Sequence, residues 1–466
     1  MEYTAQRCLN ARRKPLATCI AALFSLSTPA AMAATTWTVD TCDGGSSAGN
    51  LNTYSGNLRF AVAHAALGGG DTVDMTLLKC GVISLSTGAL NISQKDLTLK
   101  GPGIDKLVIT GLYYDRVLNH TGSGSLYLES LSIVEGSVNA TGVDARGGCI
   151  YSAGSVIADH VRISYCTART DRSSKGGGIF TNGSLTLWQS SLAYNSVSSS
   201  SPPGALDDAK GGGAFASGGL TALYSTISNN SALGLGGGYA GGLFVEQSAV
   251  NVSGTTISGN HASTGIGGLW VAGNGSGSTI IQNSTISGNS TGGETGGVYV
   301  NSGIVNIVFS TIAFNTAASQ NGHSPGLDLG AFFGPIKVVL QSSLIANNLD
   351  TSTSTNNDLT TVGVDASHTV TFSGAKNLVG ATSVTSLPPM TTTGVCPLLG
   401  PLRDNGGPTL THALLSHSPG LDQGDAGSFW FDQRGFPRVS GSAADIGAYE
   451  VAQNDIIFNS SFEGCQ

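Results

Sequence analysis

The chain has 466 residues, of which only 11% are charged, with 67 glycines and a formal net charge of −8. That acidic balance disfavours nucleic acid and anionic membrane surfaces as partners. Charged residues fall far below the usual share of about 25% and glycine stands at roughly double its norm, yet regularly spaced Ile, Leu and Val supply a buried face that a disordered chain lacks.

Residues 1–33 read as an export signal. Arg7, Arg12, Arg13 and Lys14 precede an apolar run from Cys19 to Pro29, too short to span a bilayer. Ala31-Met32-Ala33 has the form of a cleavage site. Its removal takes away more bases than acids, so the remainder is still more acidic. No later apolar run is long enough to cross a membrane. Residues 34–80 are expected to cap the N-terminal end. Leu58, Val62, Ala65 and Ala66 recur at helical spacing and stop at Gly68-Gly69-Gly70. Such a helix would plug the open edge that a stack of strands leaves. Six cysteines survive cleavage, and export favours disulfides. Spacing alone does not choose among the pairings; Cys42–Cys80 and Cys149–Cys166 are the pairs expected. No Cys or His spacing suggests zinc, and no metal or cofactor is expected.

From 81 to 350 the chain repeats itself. Gly177-Gly178-Ile179-Phe180 leads to Ser190-Ser191-Leu192-Ala193-Tyr194-Asn195. Gly212-Gly213-Ala214-Phe215 leads to Ser225-Thr226-Ile227, then Asn230. Aligned on the aliphatic before the asparagine, one column reads Ile133, Ile163, Leu192, Ile227, Ile257, Ile286, Ile312, Leu344. A second runs from Leu128 to Val339 and a third from Leu126 to Lys337. Spacing by two marks one face of a strand. A fixed period of short strands broken by glycine marks a solenoid. The bends carry Asn195, Asn230, Asn260, Asn289, Asn315 and Asn347, whose amides are suited to stack from coil to coil. Cys166 stands where an asparagine is due, and Lys337 is a charge in an apolar column.

The Gly-Gly repeats resemble those of right-handed parallel β-helix proteins, in particular the polymorphic outer-membrane-protein-like family. The fold class expected is therefore all-β: a right-handed parallel β-helix of about ten coils, with a short N-terminal capping helix and a C-terminal cap. At the cross-strand spacing that is a rod of roughly 50 Å. Residues 38–111 are similar to the start of many exported β-helix proteins, although Asn57 and Phe60 depart from the usual helix sequence. Residues 351–450 form the last coils and a second resemblance. Leu402-Arg403-Asp404-Asn405-Gly406-Gly407-Pro408, Asp432-Gln433-Arg434-Gly435-Phe436-Pro437-Arg438 and Asp445-Ile446-Gly447-Ala448-Tyr449-Glu450 are similar to the choice-of-anchor Q domain. That resemblance implies a cell-surface or outer-membrane-associated protein. Residues 451–466 read as a short tail.

Two sets of residues are candidates for chemistry or binding. Asp159, His160, Arg162, Arg169, Asp171, Arg172 and Lys175 gather charge in a chain poor in it, as a polysaccharide lyase or hydrolase would need. The paired acids Asp207-Asp208 sit in a Ser- and Pro-rich insert and read as a solvated loop. The second set is an aromatic column: Tyr151, Phe180, Phe215, Phe244, Trp270 and Tyr299. Neighbours in a strand face opposite sides, so if the flanking aliphatics are inside, these rings form an outward stripe suited to sugar rings or another protein. The sequence thus favours an exported binding or adhesion protein with a glycan or matrix-protein partner. A polysaccharide-active enzyme and a passive spacer remain as alternatives, and the oligomeric state is open.

Overall fold

The computed structural model describes residues 34–202, 208–247, 249–273, 277–301, 303–319 and 322–452. The expected signal and cleavage site, Asp207, and most of the tail lie outside these residues. The chain winds as a right-handed parallel β-helix. Its coils share one path: Ile179–Thr181, Leu185–Trp188, Ser191–Ala193, Ser196–Ser199, then Ala209–Lys210 to open the next coil. Stacking turns these segments into four sheets. Sheet I has ten strands and contains Ile179–Thr181; sheet II has 24 and takes two strands from most coils; sheets III and IV have nine and four. Sheet I takes one strand per coil, which agrees with about ten coils.

Register is fixed by the apolar columns. Ile163, Leu192, Ile227, Ile257, Ile286 and Ile312 pair in succession and all are buried. The final rung corrects the sequence alignment by one residue. Ile312 pairs with Ile345, Ile307 with Leu340 and Val305 with Val338. Lys337 is therefore an exposed neighbour of Ile304, not a charge in an apolar column. The misreading has a physical cause. Leu344 occupies the outward position held by Thr311 one coil earlier, and it is apolar because the C-terminal segment packs on it.

The asparagine ladder shares that shift: its last amide is Asn348, not Asn347. Each amide does three jobs. Asn230 Oδ1 accepts from both the backbone N and the Nδ2 of Asn195, each at 3.0 Å, while Asn195 Nδ2 also donates to Ile163 O at 3.1 Å. The same set recurs through Asn260, Asn289, Asn315 and Asn348. The ladder ends on the Asp358 carboxylate, which accepts Asn348 Nδ2 at 2.8 Å. Each satisfied bond contributes about 1 kcal/mol net, and orphaning one inside costs more.

The paired glycines pinch the coils from Gly147 to Gly297 at a waist. A Cβ on Gly177 would lie 2.6 Å from Ser196 N, and one on Gly148 would lie 2.6 Å from Thr167 N. Only glycine permits such backbone approach. The waist separates the main core, between sheets I and II, from a small lobe between sheets III and IV. That lobe is filled by Ala145, Ala168, Val197, Ala209 and Ala232. Disulfides join Cys42 to Cys80 and Cys149 to Cys166, the pairs expected; Cys396 is also disulfide-bonded.

At the N-terminal end a helix, Leu58–His64, buries Leu58, Phe60, Ala61 and Val62 on the first coils. The departure at Asn57 is its cap: the side chain accepts from Phe60 N at 2.9 Å. At the other end the chain does more than close the stack. Residues 397–452 run back along sheet II. Thr256 Oγ1 donates to Leu410 O, Thr285 Oγ1 to Gln433 Oε1, and Ala448 N donates to Thr311 Oγ1. Arg403 and Asp404 of the first motif are exposed, but Asp432, Arg434, Arg438, Asp445 and Glu450 of the later ones face inward. Arg434 pairs with Asp432 at 2.8 Å, both buried, and its guanidinium lies 3.6 Å from the Tyr449 ring centroid. Arg438 donates to Gly447 O and Asn283 Oδ1 over the Phe309 ring.

Candidate functional site

The aromatic column lies on sheet I in register: Tyr151 with Phe180, Phe180 with Phe215, Phe215 with Phe244, Phe244 with Trp270 and Trp270 with Tyr299. Strand alternation points Ile179 into the main core and Phe180 away from it, and the rings form a cluster of their own. They stack along the axis, Phe180 on Phe215 at 5.4 Å and Phe215 on Phe244 at 5.0 Å. The open stripe expected from the sequence is nevertheless closed. Phe180, Phe215, Phe244 and Tyr299 are only 2%, 1%, 5% and 5% exposed.

A ladder of cations lies over the column from Tyr151 to Phe244. The pinch brings sheet IV beside sheet I, so residues five places ahead of each ring lie over its neighbours. Arg116 lies over Tyr151, Arg146 over Phe180, Lys175 over Phe215, and Lys210 near Tyr239 and Phe244, all within 5.8 Å of the ring centroid. Arg146, Lys175 and Lys210 are direct neighbours across strands. Like charges at that spacing repel. Asp144 pairs with Arg146 at 2.9 Å and Asp208 with Lys210 at 3.0 Å, and the ring faces add cation–π attraction. Burial, with the charges of Lys210 and Arg146, pulls the Lys175 ammonium below its ordinary value.

The same column changes sign toward the C-terminal end. Glu294 and His323 occupy the cation position of later coils, and Asp328 takes the ring position, paired in register with Tyr299. Asp328 is fully buried. Its Oδ2 accepts from Thr295 Oγ1 at 3.1 Å and is hydrogen-bonded to His323 Nδ1. Its Oδ1 meets no donor among the described residues. Burial raises the Asp328 carboxyl, against the His323 hydrogen bond. Burial opposes charge on His323, but the hydrogen bond and charge of Asp328, with Glu294, lift it overall. The pair thus holds a proton tightly. Burial also raises Glu294 and, far more, Tyr299, whose ring centroid is 5.9 Å from His323.

The charged set expected from the sequence is not brought together. Asp159 and His160 pair with each other at 2.5 Å and Arg162 with Asp105 at 2.8 Å, all beside sheet II. Arg169 reaches Ser198 on sheet III. Asp171 accepts from Gly142 N, and Arg172 N donates to Thr170 Oγ1. Of the seven, Lys175 alone joins the ladder. Sequence reading missed Arg116, Arg146, Lys210, Glu294, His323 and Asp328. The constant offset ahead of each ring, and an aspartate where a ring is due, were the signals available for all but Arg116, whose coil carries Asn119 at the ring position. Among the described residues no group of three or more His, Cys, Asp or Glu side chains is placed to hold a metal ion, and no helix is long and apolar enough to cross a membrane.

No family model matches the chain, and no curated protein matches it. Among solved structures it is similar to the crystal structure of pectate lyase Pel9A, at 14% identity over 90% of this chain and 97% of that one, with a TM-score of 0.42. The fold stands on the coil register described above, and this likeness assigns no residue of the ladder.

Proposed function

We propose that this is an extracellular binding protein whose ligand is an acidic polysaccharide laid along the Arg146–Lys175–Lys210 ladder. One observation carries the reading: an acidic chain sets three cations on successive rungs, in register, over aromatic rings. A polymer with a carboxylate or sulfate on each residue meets such a ladder with complementary charge at a regular spacing. The disulfides suit an oxidising compartment. The resemblance of the repeats to polymorphic outer-membrane-protein-like sequences, and of residues 351–450 to the choice-of-anchor Q domain, supports a role at a cell surface, including adhesion. The test is binding to immobilised polygalacturonate and heparin across a salt series. Binding that weakens with salt, and falls about tenfold or more in Lys175→Ala/Lys210→Ala, supports the reading. Equal binding by that variant overturns it.

A second reading, a polysaccharide lyase or glycoside hydrolase, is favoured by the Glu294–His323–Asp328 group at the acidic end of the same column. Release of new reducing ends or of unsaturated uronate from a bound polymer, abolished in His323→Ala, would establish it. Binding without either product over a broad polymer panel excludes it.

A further inference from the structure

The residue before Cys166, and before each ladder asparagine from Asn195 to Asn315, forms another column at the turn that leaves sheet II: Tyr165, Tyr194, Asn229, Gly259, Gly288 and Phe314. All six hold a left-handed backbone. We propose that this column is a second ligand site, distinct from the cation ladder, that binds an uncharged glycan chain. Tyr165 and Tyr194 are 49% and 52% exposed, stacked at 5.2 Å with ring planes 4° apart. The stack stops there because the next rung is Asn229, so among the described residues Tyr194 has no second ring partner. Beyond it the side chains shrink to Gly259 and Gly288, and the column then closes on Phe314. The C-terminal segment forms the opposite wall through Leu402 and His412. Between that wall and Asn229, Gly259, Gly288 and Phe314 lies an open recess of about 470 Å³, which begins one rung beyond Tyr194.

The chemistry of the recess selects its occupant. No lining side chain carries a fixed charge. His412 is buried, with Nδ1 bonded to Gly400 O at 2.6 Å and Nε2 to Ser287 Oγ at 2.7 Å. Burial pushes it down to about 4, so it is neutral at physiological pH. An anionic polymer therefore gains nothing here. A peptide strand would need a free backbone edge, but the edge is used: Asn229 N donates to Ser258 O at 3.0 Å and Gly259 N to Ser287 O at 3.2 Å. The tyrosine stack one rung before the recess, the Phe314 ring in its lining and the exposed Asn229 amide between them match the apolar faces and hydroxyl rims of neutral sugar rings.

The test is an array of neutral and charged glycans probed with the full chain, with the responding neutral oligosaccharide titrated by calorimetry. Tyr194→Ala removes the platform. Gly288→Phe fills the recess, and the column already holds rings on a left-handed backbone at Tyr194 and Phe314, with φ of 58° against 66° at Gly288. Both variants should weaken a neutral glycan by about tenfold or more with unchanged circular dichroism, whereas Lys175→Ala should leave it unaffected. The proposal is overturned if no neutral glycan binds, if neutral binding survives both variants, or if they abolish peptide binding or self-association instead. Loss of acidic-polymer binding in Lys175→Ala alone speaks to the cation ladder and not to this site.

Discussion

Cys149 and Cys166 occupy the two positions that later coils fill with a glycine and an asparagine. A Cβ on Gly178 would lie 3.1 Å from Asn195 Cγ, and the Gly213–Asn230 pair has the same spacing. The disulfide therefore replaces the packed Gly–Asn contact across the waist of the first regular coil. There the ladder has no amide to receive on its N-terminal side, and Cys166 N still donates to Asn195 Oδ1 at 3.1 Å. A covalent closure of this length contributes about 3 kcal/mol by restricting the unfolded chain. Cys149→Ala/Cys166→Ala should lower the thermal unfolding midpoint. Cys149→Gly/Cys166→Asn should recover part of the loss by restoring the rung, and equal losses in the two variants would contradict the equivalence.

The waist predicts a contrast between two glycines. Gly177→Ala places a methyl group against the backbone of Ser196, and overpacking of this kind costs about 1–3 kcal/mol or more. Gly68→Ala meets nothing within 4 Å and should be neutral. Denaturant midpoints of the two variants measure the difference directly.

His412 links the C-terminal segment to coil acidity. Its folded pKa, about 4, lies below the ordinary value of 6.5 because burial disfavours the imidazolium. The neutral ring is thus stabilising above pH 6.5, and that contribution is lost as pH falls toward 4. The loss amounts to up to about 3 kcal/mol by linkage. The midpoint difference between the native chain and His412→Asn should shrink across that window. A difference independent of pH would show that the ring does not titrate there.

Asp328 is expected to control the proton on His323. In the native chain the imidazole should titrate above the ordinary histidine range, because burial, the largest influence, is outweighed by the hydrogen bond and charge of Asp328 together with the charge of Glu294. Asp328→Asn removes that charge, and burial then pulls the value down. The histidine C–H shifts in an NMR pH titration report both values. Unchanged titration would show that Glu294 and solvent set the value instead.

Much of this molecule was legible because coils stack in register. Each inward column, from Ile163 to Ile312, needs only a two-residue period and a repeat, and both are local properties of the chain. The capping helix at Leu58–His64 followed from an equally local signal, whereas cysteine spacing left the pairings open and the folded chain joins Cys42 to Cys80 and Cys149 to Cys166. The last rung was misread because Leu344 looked like a core residue; its apolar character is set by Leu399, Leu414 and Ile446 of the C-terminal segment, which pack on it. The aromatic column was legible as a column, but not its cover. That depends on where the glycine waist swings sheet IV, and so on which cation comes to rest on which ring. Likewise nothing in the order of residues placed His412 beside Ser287, or turned the Arg434 and Arg438 motifs inward. The sequence by itself determined the periodic β-helix, since periodicity is all that stacking requires. The tertiary structure alone decided which surfaces stay open, because closing them depends on contacts between segments that share no repeat.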